Sequence, residues 1–121
     1  MNNTYHGKLK IKIHHFIMLM YDLTENFPKS ELYGTVSQLR RAAVSVMLNY
    51  VEGYARRKPK VKLNSYEISY GSIRECKYLL YLACERAWIQ KEDYNKSFHL
   101  ADEGSAMLWS LIDALEKEIK K

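Results

Sequence analysis

The chain has 121 residues and a formal net charge of +5 at pH 7, with 47% hydrophobic and 27% charged residues. This length fits one domain with one core, and the composition is typical of a globular protein. No stretch reaches the ~20 apolar residues that cross a bilayer, and no signal-peptide cleavage site is evident. We therefore expect a single cytoplasmic domain over residues 1–121, without a membrane partner.

Hydrophobic residues recur every three or four positions in four segments, which is typical of amphipathic helices. The predicted helices cover about residues 8–26, 31–57, 60–88 and 91–120. Pro28 ends the first, because proline disfavours helix in the residue before it, and Ser30 is the expected N-cap of the second. Pro59 suits the first turn of the third helix. Residues 1–7 are expected to be frayed.

Four helices joined by short turns predict an all-α, antiparallel, up-down-up-down four-helix bundle. On the second helix the apolar sector covers about two thirds of the circumference, more than the stripe of about 100° that such a bundle requires. The third helix has a second apolar face at Ile68, Tyr78, Leu79 and Leu82. Exposed faces of this size indicate interfaces, so we expect a homo-oligomer. The alternative is that these helices lie more deeply in their own bundle.

Two charged residues interrupt these apolar faces. If the second and third helices turn near Lys58, Arg40 and Glu75 lie at nearly the same height. An unpaired buried charge is costly, so we predict an Arg40–Glu75 ion pair within or between subunits. The alternative is that both side chains point to water. Gly71 and Ser45 also lie at the same height, which predicts a close approach of the two backbones.

The familiar arrangements of catalytic and metal-binding residues are missing from the sequence. No histidine has a glutamate three residues before it, as di-iron bundles require. There is no Cys-x-x-Cys motif, glycine-rich phosphate loop or Gly-x-Ser-x-Gly motif. On one helix, Cys76 and Cys84 lie ~12 Å apart, too far for a disulfide, and are expected to be free core thiols. We expect no enzymatic activity, metal or cofactor.

Positive charge is concentrated around the turn between the second and third predicted helices. Residues 40–62 contain seven Lys or Arg and one acid, whereas residues 85–121 contain six bases and eight acids. A dense basic patch beside an aromatic residue suits binding to a nucleic-acid backbone, and Tyr54 can stack on a base or sugar. The alternative is a solvated turn. The predicted nucleic-acid-binding residues are Arg41, Tyr54, Arg56, Arg57, Lys58, Lys60 and Lys62.

Several stretches together resemble one bacterial family of four-helix bundles, the 23S rRNA intervening-sequence proteins. These stretches are Phe27-Pro28-Lys29, Tyr33-Gly34, the run from Ser37 to Ser45, Asn49, Glu52-Gly53-Tyr54, and Gly71-Ser72-Ile73 with Glu75. The similarity extends from about Phe16 to the C-terminus. Among the matching residues, structural rather than catalytic roles are implied for Arg40, Arg41, Glu52, Gly53, Gly71 and Glu75.

The resemblance implies a left-handed bundle that assembles as a ring-like homopentamer. Family members are encoded within insertions in ribosomal RNA genes or elsewhere in genomes. A similar fold serves as the accessory protein of diversity-generating retroelements, where it binds a reverse transcriptase and its nucleic acid. One departure is Met47, which stands where the family often has a proline, so a straighter second helix is expected here.

Two functions are compatible with these features. The first is a non-enzymatic, homo-oligomeric protein that binds the backbone of RNA or DNA. The alternative is a protein-interaction scaffold, such as an accessory subunit of a retroelement reverse transcriptase. Gene neighbourhood separates the two, because a reverse transcriptase gene with a repeat pair favours the scaffold.

Overall fold

The computed structural model describes residues 3–121, which form four α-helices and no strand. They are α1 (Asn3–Thr24), α2 (Ser37–Ala55), α3 (Pro59–Glu85) and α4 (Lys91–Ile119). The all-α prediction with four helices is confirmed. None of the helices in this described part combines the length and hydrophobicity that a membrane crossing requires.

The four helices pack into a helical bundle in which α2 and α4 each contact both α1 and α3. Its core has two clusters of buried side chains. One is mainly aliphatic and includes Phe16, Leu39 and Leu80, and the other contains Tyr50 and Tyr66. Burial of these side chains is the main favourable term that holds the helices together.

The beginning of α1 differs from the prediction that residues 1–7 are frayed. Helix α1 already includes residues 3–7, and the His6 side chain is buried. Residues 1 and 2 of that prediction lie outside the described residues. The prediction is wrong for the rest because His6 continues the buried stripe of Leu9, Ile13 and Phe16 at spacings of three and four.

The connection between α1 and α2 also differs from the predicted start of the second helix. A 3₁₀ turn, Lys29–Glu31, is followed by a wide helical turn, Leu32–Val36, which is broken at Gly34 (φ −109°, ψ −108°). Ser30 lies inside the first turn and is not an N-cap. The Glu31 carboxylate has that role, because it accepts hydrogen bonds from the Thr35 backbone N–H (3.3 Å) and hydroxyl (2.6 Å). These bonds lower the pKa of Glu31.

Helix α2 ends at Ala55 because the following residues leave the helical conformation. Arg56 and Lys58 have extended backbones, and Pro59 begins α3, where its missing N–H costs no hydrogen bond. The Lys62 ammonium donates to the carbonyl oxygens of Gly53 (3.1 Å) and Tyr54 (2.9 Å). The Gly53 carbonyl also accepts from the Arg56 N–H (3.2 Å), so Lys62 adds a second hydrogen bond there and links α3 to the end of α2.

The close approach of α2 and α3 occurs at Gly53 rather than at Gly71. A Cβ atom on Gly53 would lie 2.7 Å from the Tyr66 ring, whereas one on Gly71 would have no atom within 4 Å. The prediction is therefore wrong for Gly71, which is exposed. Ser45 does contact α3, through a hydrogen bond of 2.9 Å to the Ser72 hydroxyl.

The predicted Arg40–Glu75 ion pair is wrong within one chain, because Arg40 is directed towards α1 instead of α3. Its Nε donates to the Thr24 hydroxyl (2.9 Å), and its Nη2 lies 3.8 Å from the Glu25 carboxylate. Its guanidinium also lies 4.7 Å from the centre of the Tyr21 ring. Glu75 is exposed. Pairing between subunits stays a prediction.

Candidate nucleic-acid interface

Four of the predicted nucleic-acid-binding residues, all exposed, lie together at the connection between α2 and α3. We call Arg56, Arg57, Lys58 and Lys60 the basic turn. Arg56 has an ion pair with Glu52 one helical turn earlier (2.8 Å), which an exposed cation exchanges at little cost. The basic turn therefore presents long, solvated cations of the kind that replace counterions on a phosphate backbone.

Lys62 has a different role from these four residues. Its hydrogen bonds to the end of α2 hold the ammonium group in a half-buried position, and desolvation lowers its pKa, an effect that the Glu118 carboxylate partly opposes. Lys62 is thus a fixed charge behind the basic turn. Lys62 was predicted together with the exposed cations because charge density along the sequence does not reveal which lysine reaches a helix end.

Tyr54 lies beside the basic turn, where it was predicted, and its side chain is 41% exposed. Two ammonium groups approach its ring, those of Lys62 (5.6 Å from the ring centre) and Lys10 (5.7 Å). Lys10 belongs to α1 and was not predicted for this site, because the predicted antiparallel packing places the start of α1 near the end of α2 without indicating which of its lysines approaches Tyr54. An aromatic face flanked by cations is suited to a stacked base with its phosphate.

Arg41 does not join this cluster. It lies fourteen residues before the end of α2, which corresponds to ~21 Å along the helix axis. Arg41 instead lines a depression of about 660 Å³ on the outer face of α2, which we call the α2 depression. The prediction that Arg41 lies near the other cations is therefore wrong within one chain.

An aromatic cluster that the sequence analysis missed lies directly behind Tyr54. His6 Nδ1 and the Tyr50 hydroxyl form a hydrogen bond, and the Tyr50 ring stacks on the Tyr66 ring, with 5.7 Å between their centres. The His6 ring lies 4.6 Å from the Tyr54 ring. The signal that could have found the cluster is the spacing of three residues from His6 to Leu9, which extends the first helix towards the N-terminus.

Burial shifts the pKa values of this cluster. Desolvation, together with positive charges that include Lys62 and Lys10, lowers the pKa of His6. Desolvation raises the pKa of Tyr66 to about 12 and raises that of Tyr50 further. The imidazole is therefore mostly neutral at pH 7 and both hydroxyls are protonated. Neither tyrosine can act as a base at that pH.

An open pocket of about 330 Å³, which we call the Tyr54 pocket, lies between Arg57 of the basic turn, the aromatic residues His6, Tyr54 and Tyr66, and α4. Its lining includes His6, Tyr54, Arg57, Lys62, Leu115 and Glu118. The lining side chains come from α1, α2, α3, α4 and the turn, so the pocket forms only when the bundle is folded.

Two exposed apolar surfaces occur away from the basic turn. The first is the α2 depression, where Tyr33 is 93% and Leu48 is 62% exposed. The second lies on α3 and α4, where Tyr78 is 62% and Tyr81 is 50% exposed and both line a depression with Phe98. Tyr78 is exposed as predicted for a second apolar face of α3, whereas Leu79, assigned to the same face, is buried in the core.

The described residues include no group of three or more His, Cys, Asp or Glu side chains that could hold a metal ion. Cys76 and Cys84 are free thiols. Burial raises the pKa of Cys76 to about 12, so this thiol stays protonated and is a poor nucleophile.

Comparison with known proteins agrees with the resemblance. The family model described as 23S rRNA-intervening sequence protein matches residues 8–110. No curated protein matches the chain. A similar solved structure is a protein of unknown function from the S23 ribosomal protein family of Bacteroides thetaiotaomicron VPI-5482, with a TM-score of 0.77 and 21% identity over 86% of this chain and 97% of that chain. The fold is shared, and the chain belongs to the 23S rRNA-intervening sequence protein family.

Proposed function

We propose that this protein is a non-enzymatic, homo-oligomeric, cytoplasmic protein that binds the backbone of RNA or DNA. The observation that carries the proposal is the basic turn, where exposed cations lie next to the partly exposed ring of Tyr54. This combination supplies both phosphate contacts and a stacking surface. No metal or cofactor takes part.

The proposed subunit is an antiparallel, up-down-up-down bundle. Hydrogen bonds support it, because along each helix pair rising residue numbers on one helix meet falling numbers on the other. The bonded pairs are Lys62–Gly53 and Ser69–Val46 between α2 and α3, and Tyr5–Met107 and Lys12–Glu103 between α1 and α4. The basic turn would then lie at one end of the bundle.

The proposed assembly is a ring-like homopentamer. Its support is that the exposed apolar surfaces occupy different helices, so that one surface of a subunit can pack on the other surface of the next. Such heterologous contacts close into rings, and the number five comes from the family resemblance. A ring would repeat the basic turn and strengthen binding through avidity.

The assembly is tested by light scattering of the purified protein. Leu48→Glu places a charge in the α2 depression and is expected to dissociate the oligomer. Ile11→Glu is the matched control, because Ile11 is 57% exposed on α1, outside both surfaces. A wild-type protein with the mass of one subunit, or equal dissociation by both variants, contradicts the proposal.

Nucleic-acid binding is tested by filter binding of structured RNA and duplex DNA at several salt concentrations. Replacing all four residues of the basic turn by Gln is expected to weaken binding. For duplex DNA, the slope of log K against the logarithm of the salt concentration should become shallower by about 0.9 for each lost phosphate contact. The control replaces four exposed cations elsewhere by Gln, and these are Lys29, Arg86, Lys91 and Lys96. The proposal is contradicted if the affinity does not depend on salt, or if both variants lose the same affinity for nucleic acid.

A protein-interaction scaffold is the second candidate, and the α2 depression supports it. The depression is mostly apolar, with Arg40 and Arg41 at its wall. Such a surface also suits a protein partner, for example a reverse transcriptase. If a reverse transcriptase encoded beside this gene binds the wild type but not Leu48→Glu, while nucleic acid alone does not bind, the scaffold function is favoured.

A further inference from the structure

The Tyr54 pocket has features that binding to a nucleic-acid backbone does not require. Its volume of about 330 Å³ lies at the lower end of small-molecule sites, which measure about 300–1,000 Å³. A backbone-binding surface needs only exposed cations, whereas this pocket also has apolar walls, aromatic rings and a carboxylate. A recess of this kind suits a small ligand that enters it.

The cationic side of the pocket is suited to a phosphate group. Lys62 is held by two carbonyl oxygens, so its charge is already in place before a ligand arrives. Arg57 is exposed on the basic turn and also lines the pocket, and its guanidinium can bind two phosphate oxygens at once. The two cations together favour a ligand with at least one phosphate.

The remaining walls are suited to a flat heterocycle. Tyr54 and His6 present rings to the pocket, and Leu111 and Leu115 provide an apolar wall from α4. The lowered pKa of His6 keeps its ring mostly neutral at pH 7. Rings and aliphatic side chains stack on any nucleobase without reading its sequence.

Glu118 adds a criterion for the base. Its carboxylate lines the same pocket and can only accept hydrogen bonds when it is ionised. Cytosine offers an amino group at N4, which carboxylates accept, whereas uracil presents a carbonyl oxygen at the same place. The pocket should therefore favour an amino-bearing base over uracil.

We propose that the Tyr54 pocket binds one unpaired nucleotide, with its phosphate on Arg57 and Lys62 and an amino-bearing base, such as cytosine, at Glu118. The proposal rests on the proposed nucleic-acid binding and specifies an unpaired nucleotide as the ligand. The nucleotide is supplied by a strand or by the pool of free nucleotides, because the chemistry at the pocket is the same.

The first test blocks the pocket without changing any charge. Ala114 lines the pocket from an exposed position on α4, so Ala114→Phe fills its mouth. Ala106→Phe is the matched control, because Ala106 is also exposed on α4 and lies ~12 Å away along the axis. The ligands are a labelled cytidine oligonucleotide and an RNA duplex of the same length.

Ala114→Phe is expected to weaken binding of the single strand at least ~5-fold, the loss of one stacked base, and to leave duplex binding unchanged. Ala106→Phe is expected to leave both affinities unchanged. Equal losses for single strand and duplex, or no loss at all, overturn a strand as the source of the nucleotide, while duplex binding still supports the proposed function. A wild type that binds neither ligand contradicts the proposed function.

The second test separates the two sources of the nucleotide by equilibrium dialysis with CMP and UMP. Wild-type protein is expected to retain more CMP than UMP, and Glu118→Gln to abolish the difference, because an amide also donates to the uracil carbonyl. CMP binding supports the pocket even if no strand binds. If CMP does not bind but Ala114→Phe weakens the single strand, the pocket takes strands alone. If both effects are missing, the pocket proposal is wrong.

Discussion

The two ends of α2 each lie beside a cation that binds oxygen atoms near the end of a helix, but the two cations differ in their partners. Arg40, near the start of α2, binds the Thr24 hydroxyl of α1 and has the Glu25 carboxylate as a counter-charge. Lys62 binds the carbonyl of Gly53 at the end of α2, where the partners are uncharged. Arg40 thus has a carboxylate within ion-pair distance, whereas Lys62 forms no ion pair within the described residues and has the Glu118 carboxylate as a more distant charge.

The difference between Arg40 and Lys62 indicates which charged residues the fold requires. Lys62 completes the end of α2, and its half-buried position ties it to the folded structure. Lys58 and Lys60 are exposed, and within residues 3–121 they form no ion pair with an acidic side chain. An exposed charged side chain without a structural role costs the fold little stability and can bind a polyanion. The predictions below test this division between structural and available groups.

The largest expected effect is the loss of Tyr50, which is fully buried at the centre of the aromatic cluster. Tyr50→Ala leaves a cavity and is expected to lower the free energy of unfolding by about 3–5 kcal/mol. Tyr50→Phe keeps the ring but removes the hydroxyl that bonds His6, and should cost about 1–3 kcal/mol. Urea denaturation monitored by circular dichroism measures both.

A neutral effect of Tyr50→Phe on the free energy of unfolding is the outcome that would contradict this prediction. In that case the hydrogen bond to His6 contributes nothing, and the aromatic cluster behaves like the aliphatic cluster around Leu39. Leu39→Ala is the reference for that cluster, with an expected loss of about 2–5 kcal/mol.

The next effect concerns the glycines of α2 and α3. Gly53→Ala would bring a methyl group within 2.7 Å of the Tyr66 ring and 3.0 Å of Ser65 Cβ, and is expected to cost about 1–3 kcal/mol. Gly71→Ala meets no atom within 4 Å and should stabilise the helix by about 0.5–1 kcal/mol. Thermal unfolding of the two variants measures whether each substitution raises or lowers stability. Destabilisation by Gly71→Ala would instead indicate that Gly71 packs against another subunit.

A smaller effect tests the partners of Arg40. Arg40→Met removes its bonds to Thr24 and Glu25 and is expected to cost about 1–2 kcal/mol, because the site is partly solvated. Glu75→Gln is expected to change stability by less than about 0.5 kcal/mol, since Glu75 is exposed. A double-mutant cycle in the oligomer provides the decisive measurement. Coupling between Arg40 and Glu75 would mean that they pair across subunits.

Local periodicity is enough to predict the four helices, because the apolar spacing that defines each amphipathic stripe occurs within a single segment of the sequence. The basic turn could also be predicted, since Arg56, Arg57, Lys58 and Lys60 are neighbours along the chain. Arg41 is different, because its distance from them depends on the rise of α2 rather than on charge density. Residues that are neighbours in the sequence therefore lie close together in a turn, whereas residues some distance apart on one helix lie far apart in space.

Contacts between helices could not be predicted in the same way. The orientation of Arg40 depends on how α1 packs against α2, and the closest approach of α2 to α3 depends on the Tyr66 ring beside Gly53. The Tyr54 pocket requires side chains from all four helices and the turn. The local sequence feature that indicates this pocket is the position of His6 in the buried stripe of α1.

The smallest effect is a pH dependence that comes from His6. Its folded pKa lies below the unfolded value of 6.5, so between the two values the unfolded chain binds more protons. Stability therefore falls as the pH drops below about 6.5, and this contribution to the loss is complete once the pH is below the folded pKa. Urea denaturation between about pH 7.5 and pH 5 measures the loss.

His6→Gln is expected to remove this component of the pH dependence, whereas His14→Gln should keep it, because His14 is exposed on α1. The His6 component of the loss would thus arise beside the basic turn. If His14→Gln flattens the profile and His6→Gln does not, the buried imidazole is not the titrating group, and the Lys62 region owes its stability to other contacts.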